Sequence, residues 1–151
     1  MKIGLIIFIC LAAVTACNTA GTKTAPVAEA GNALKDSANF TTIQWLDSIH
    51  RDLGKVTEGD QVEVSFRFKN TGTKPLIITS VTASCGCTVP ETPKEPFAPG
   101  AEGLIKAKFN SLNRTGQNHK EVYVTANTKP DNLQQLEFTI EVEKKKQTNK
   151  G

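Results

Sequence analysis

Gln61-Val-Glu-Val-Ser-Phe-Arg-Phe-Lys-Asn70 is the stretch on which the fold class turns. Val62, Val64, Phe66 and Phe68 take every second position, and Glu63, Ser65, Arg67 and Lys69 take the positions between them. A β-strand sends successive side chains to opposite faces, so this decad reads as one strand with an apolar face turned to a core and a charged face turned to water. Glu58-Gly59-Asp60 is a turn just before it, and Asn70-Thr-Gly-Thr-Lys-Pro75 reverses the chain just after it.

The same grammar continues outward in both directions. Upstream, residues 40–46 (Phe-Thr-Thr-Ile-Gln-Trp-Leu) read as a first strand and residues 53–56 as a short partner. Downstream, residues 76–83 carry the β-branched run Ile77, Ile78, Thr79 and Val81. Pro90, Pro93, Pro96 and Pro99 then crowd one segment, which excludes a central strand and predicts an irregular edge crossing between sheets. After the turn at Pro99-Gly100, alternation resumes in residues 103–110 (Ile105, Ala107, Phe109 inward), 119–127 (Val122, Val124, Ala126) and 134–143 (Leu136, Phe138, Ile140, Val142).

Short strands at this spacing, with turn signals between them and no helical period, predict an all-β fold: an immunoglobulin-like antiparallel β-sandwich of about seven strands over residues 40–143. The antibody pattern of two distant cysteines around a tryptophan is absent. Trp45 stands in the first strand, and Cys85 and Cys87 are two residues apart, so no disulfide can tie one sheet to the other. Packing of the core must hold the sheets together.

The N-terminal region has a different character. Lys2 precedes the apolar run from Ile3 to Val14, too short for a spanning helix of ~20 residues, and Val14-Thr15-Ala16-Cys17 follows. This arrangement resembles a lipoprotein signal peptide over residues 1–16 with a lipobox, which makes Cys17 the lipidated residue of the mature chain. Residues 17–39, rich in Ala, Thr, Gly and Asn, read as a flexible tether from Cys17. As a coil its reach is roughly 25 Å, and stretched it is roughly 75 Å. Residues 144–151, opening with Lys144, Lys145 and Lys146, read as a basic disordered tail. The formal net charge of +3 falls by one when Lys2 is removed, too mild a balance for a nucleic-acid partner. The expected location is the bacterial cell envelope, with the lipid as membrane anchor. Asn18 stands where the familiar inner-membrane retention signal has Asp, so the expected site is the outer membrane, facing the periplasm.

Asn70-Thr-Gly-Thr-Lys-Pro-Leu-Ile-Ile, Ser84-Cys-Gly-Cys-Thr88, Pro99-Gly100 with Gly103, Phe109-Asn110 and Gly116 together resemble the bacterial domain-of-unknown-function family numbered fifteen-seventy-three. The resemblance extends over roughly residues 45–130, with the Ser-Cys-Gly-Cys-Thr block as its most specific piece. It implies an immunoglobulin-like sandwich akin to Hydin-like and major-sperm-protein-like modules, often carried on envelope lipoproteins of Bacteroidetes-type bacteria, and it implies no activity.

Removal of Cys10 with the signal peptide and acylation of Cys17 leave Cys85 and Cys87 as the only thiols. Three readings stand open for them: a disulfide, since Gly86 lets the flanking cysteines approach; a soft-metal pair able to hold Cu(I); or buried thiols that fill space. Two cysteines fall short of the four ligands of a structural zinc site. His50-Arg51-Asp52-Leu53 resembles the start of a kinase catalytic loop, but the partner Asn and the phosphate loop are missing. His50 and His119 lie in no catalytic motif and are each expected as an exposed strand-end residue. Asp36-Ser37-Ala38 and Asp47-Ser48-Ile49 resemble a short O-glycosylation acceptor pattern. The sequence thus points to a non-catalytic envelope lipoprotein that presents an interaction module to a protein partner and needs no cofactor; the alternative is a periplasmic thiol-redox or copper-binding protein working through Cys85 and Cys87.

Overall fold

The computed structural model describes residues 37–146. The expected signal peptide, lipidated Cys17, nearly all of the expected tether and the end of the basic tail lie outside the described residues. Eight strands follow a 3₁₀ turn at Ser37–Asn39: β1 (Ile43–Trp45), β2 (His50–Thr57), β3 (Gln61–Asn70), β4 (Ile78–Ala83), β5 (Thr88–Glu91), β6 (Glu102–Asn110), β7 (Gly116–Ala126) and β8 (Leu133–Glu143). They form two four-stranded sheets, in the orders β1-β3-β6-β5 and β2-β8-β7-β4.

The alternation read from the sequence is the alternation the strands show. Phe66 and Phe68 on β3, Ile105 and Phe109 on β6, Val122 and Val124 on β7, and Leu136, Phe138 and Ile140 on β8 are all buried in one core between the sheets. Phe109 of one sheet meets Phe138 of the other edge to face, with ring centres 6.0 Å apart. Phe68 lies between Trp45 and Phe97 at 5.8 and 4.9 Å. Gly103 stands opposite Phe68 in the β3–β6 ladder, and any side chain there would collide with the rings of Phe97 and Phe68.

Five expectations change among the described residues. The strand count is eight, because the Pro-rich crossing opens with β5, which contains Pro90. β5 pairs with β6 at the margin of its sheet, where a residue without an N–H is tolerated. The second sheet is mixed, since β2 runs parallel to β8. Strands so far apart in sequence share no hairpin, and only a tight turn obliges neighbours to be antiparallel. β2 is also longer than its expected core of 53–56, because Gly54, at a φ of 68°, supports an irregularity between Asp52 and Lys55 that masks the alternation. Conversely, the first strand shrinks to Ile43–Trp45, with Thr41 bridging to Thr128 instead. Finally, the ordered domain begins before residue 40: the Asn127 side-chain amide donates to the Asn39 carbonyl at 2.7 Å, so the end of the expected tether is bound to the sandwich.

Two buried asparagines organise the loops at this end. Asn70 Oδ1 accepts from the Thr41 hydroxyl at 2.8 Å and the Gly72 N–H at 3.1 Å, while its Nδ2 donates to the carbonyls of Lys74 and Phe97. Asn127 Oδ1 accepts from the Ile77 N–H at 2.7 Å, and its Nδ2 donates to Asn39 and Pro75. Loop backbone left without strand partners is thereby satisfied inside the protein.

Candidate functional site

Cys85, Gly86 and Cys87 occupy the turn between β4 and β5, where the chain leaves one sheet for the other. Their α-carbons are 5.3 Å apart and the two sulfurs are joined as a disulfide. Each end of the turn is held to a different sheet. Ser84 exchanges two hydrogen bonds with Glu121 of β7: its N–H donates to the Glu121 carbonyl at 3.0 Å, and its hydroxyl accepts from the Glu121 N–H at 3.2 Å. The Cys87 carbonyl accepts from the Asn110 N–H at the end of β6, at 2.9 Å. Cys87 is buried among the core residues, whereas Cys85 is half-buried against them. Bonded to each other, the sulfurs offer neither a thiolate nucleophile nor a thiolate ligand. The arrangement is a covalent pin at the corner of the sandwich.

A second constellation stands on the outer face of the mixed sheet, and the sequence reading did not assemble it. His50 opens β2 and stands beside Glu137 of β8, and Glu121 of β7 stands opposite Glu137 on the other side. His50 Nδ1 lies 3.0 Å from Glu137 Oε2, and His119 Nε2 lies 3.6 Å from the same oxygen. Both imidazoles are exposed as expected, but His119 is within β7 and not at its end. Gln135 Nε2 donates to Glu121 Oε1 at 3.1 Å and to Glu137 Oε1 at 3.0 Å, bracing the two carboxylates. The Tyr123 hydroxyl donates to Glu121, and that bond holds the phenol above its usual value of 10.0. His119, Glu121 and Glu137 bring their donor atoms within 4.8 Å of one another and are the described residues best placed to hold a metal ion. No motif could have announced the group, because its members come from three strands; the only local signal is that each sits at an outward position of an alternating strand.

The depression above this group, about 250 Å³ in volume, is lined by His50, Asp52, His119, Glu137 and Thr139 among others. It is shallow and open, and Thr139 supplies the hydroxyl among its lining residues. Ser48 is exposed, and its hydroxyl donates to the His50 carbonyl at 2.7 Å. Ser37 opens the 3₁₀ turn.

Two sheets face to face, with the chain crossing between them at a pinned corner, define an immunoglobulin-like sandwich. The chain belongs to the family described as a protein of unknown function (DUF1573), whose profile matches residues 43–142. Among solved structures it is similar to a protein of unknown function from Porphyromonas gingivalis W83, with a TM-score of 0.61 and 16% identity over 70% of this chain and 49% of that one. The chain thus spans about half the length of that protein. It is similar to the human CEP192 PapD-like domain 7, with a TM-score of 0.57 and 8% identity over 89% of this chain and 100% of that one. It is also similar to the YadV chaperone, with a TM-score of 0.50 and 15% identity over 67% of this chain and 52% of that one. At these identities the likeness is one of fold. No curated protein matches the chain.

Proposed function

We propose that this protein is a non-catalytic lipoprotein of the bacterial envelope, anchored through Cys17 and presenting its immunoglobulin-like sandwich to a protein partner. The observation that carries the reading is Val14-Thr15-Ala16-Cys17 at the end of a short apolar run, placed ahead of a single β-sandwich domain. A bonded Cys85–Cys87 pair fits the oxidising compartment to which such a signal leads. Asn18 favours the outer membrane, on its periplasmic face. Sandwich modules of this class offer edge strands and loops to partners, and β5, β1, β2 and β4 are the edges available here.

The alternative reading, thiol-redox or copper-binding work by Cys85 and Cys87, requires free thiolates. Burial of Cys87 in the core weighs against both, and closure of the bond weighs against copper alone, since a closed bond is itself the oxidised half of a redox pair. Fractionation of cells expressing the wild type and Cys17→Ala tests the anchor. The wild type is expected in the membrane fraction with a mass increased by acylation, and Cys17→Ala is expected to leave that fraction. A variant that stays with membranes at unchanged mobility would refute lipidation. Crosslinking in the intact envelope followed by mass spectrometry then identifies the partner.

A further inference from the structure

We propose that His119, Glu121 and Glu137, joined by His50 from its place against Glu137, form a binding site for a divalent transition-metal ion of the zinc kind, on the outer face of the mixed sheet. The first argument is electrostatic. Like charges directly opposite in an antiparallel pair repel, and Glu121 and Glu137 are such a pair. Several other carboxylates on the sandwich surface are matched with permanent cations: Asp47 with Arg67, Glu63 with Lys106, Glu91 with Lys108, Glu102 with Lys69, and Glu141 and Glu143 with Lys55; Asp52, Glu58 and Asp60 accept from backbone N–H groups instead. Glu137 is flanked instead by two imidazoles. Two facing carboxylates with two nitrogen donors are the ligand chemistry of a borderline cation, and the cation would supply the charge that the lysines supply elsewhere.

The second argument is geometric. A tetrahedral zinc centre with bonds of ~2.0–2.1 Å places its donor atoms roughly 3.3–3.4 Å apart. The two imidazole nitrogens stand 3.0 and 3.6 Å from Glu137 Oε2, on either side of that spacing. His119, Glu121 and Glu137 already hold their donor atoms within 4.8 Å of one another, and side-chain rotation has to close that spacing and bring His50 in. The third argument is the support around the group. Gln135 holds both carboxylates from one amide and Tyr123 holds Glu121, which is the outer-shell bracing that orients metal ligands. An ion bound here would join β2, an edge strand, to β8 and β7.

Zinc titration of the full chain, with the Cys85–Cys87 disulfide closed and the remaining thiols alkylated, tests the site by calorimetry and by elemental analysis after dialysis. One Zn²⁺ per chain is expected, with affinity reduced more than about tenfold in His50→Gln/His119→Gln and about tenfold or more in Gln135→Ala, which removes only the outer-shell brace. Retention in Cys85→Ser/Cys87→Ser is also expected. In amide NMR spectra of the wild type, Zn²⁺ should shift the signals around residues 50, 119 and 137, a readout that does not depend on any variant folding. Absence of saturable binding, binding that survives the double histidine variant, loss of binding in the double cysteine variant, equal displacement by Ca²⁺, or shifts centred elsewhere would each overturn the proposal.

Discussion

At the scale of single residues, buried polar side chains hold what the apolar core cannot reach. Asn70 is fully buried, and each of its side-chain amide atoms serves two partners. Asn70→Ala takes their partner from the Lys74 carbonyl, the Gly72 N–H and the Thr41 hydroxyl, while the Phe97 carbonyl keeps the Leu76 N–H, and unsatisfied buried groups cost about 1–3 kcal/mol each. We expect a loss of about 2–4 kcal/mol in urea unfolding, against almost none for a substitution of exposed Thr73. The disulfide is the opposite case. It closes a ring of only three residues, so the chain-entropy account gives it about 1–2 kcal/mol, less than a bridge across a long loop. Protein taken from the envelope is expected to gain two hydrogens, and then two alkyl groups, only after reduction. Cys85→Ser/Cys87→Ser should fold with that modest loss; free thiols in native material would reject the bond.

At the scale of elements, ion pairs fasten neighbouring strands. Asp47, just after β1, accepts from the Arg67 guanidinium and backbone N–H on β3. The Arg67 side-chain hydrogen bonds, reinforced by its backbone N–H, hold the carboxyl below its ordinary value of 3.8. A carboxylate with a depressed folded-state pKa adds stability above its unfolded value and loses it as pH falls through the folded one. The stability gap between wild type and Asp47→Asn should therefore be open at pH 6 and close as pH drops below 3.8. A gap independent of pH in urea midpoints would mean that the pair acts only through its shape. The pair is exposed, so the gap should be small. Lys55 of β2 bridges to Glu141 and Glu143 of β8 in the same manner, fastening the parallel edge strand beyond its irregularity.

At the scale of the whole molecule, both sheets share one core, and among the described residues neither has a second layer of its own. Separation of the sheets would expose Phe109 and Phe138 together, so they should unfold together. The chain's single tryptophan, Trp45, packs edge to face on buried Phe68 and reports on that core. Trp45 fluorescence and far-ultraviolet circular dichroism should give one coincident urea transition. Separate midpoints would show that β1 detaches before the rest.

What the sequence by itself determined was whatever depends on near neighbours. Strand identity along β3, β6, β7 and β8 was legible because the period of two is a local property, and every apolar residue it assigned to the core is buried there except Val62, which is half-buried against it. The turns at Gly59 and Gly100 and the closeness of Cys85 and Cys87 were legible for the same reason. Only the tertiary structure decided which strands share a sheet, that β2 runs parallel to β8, and that Pro90 belongs to an edge strand. It alone brought His119, Glu121 and Glu137 together with His50 beside Glu137, and turned Asn70 and Asn127 from strand-end residues into the buried ties of the loops. The physical reason is that alternation states which face a side chain takes, whereas the neighbour it meets on that face depends on pairings across dozens of residues, set by the packing of the whole core.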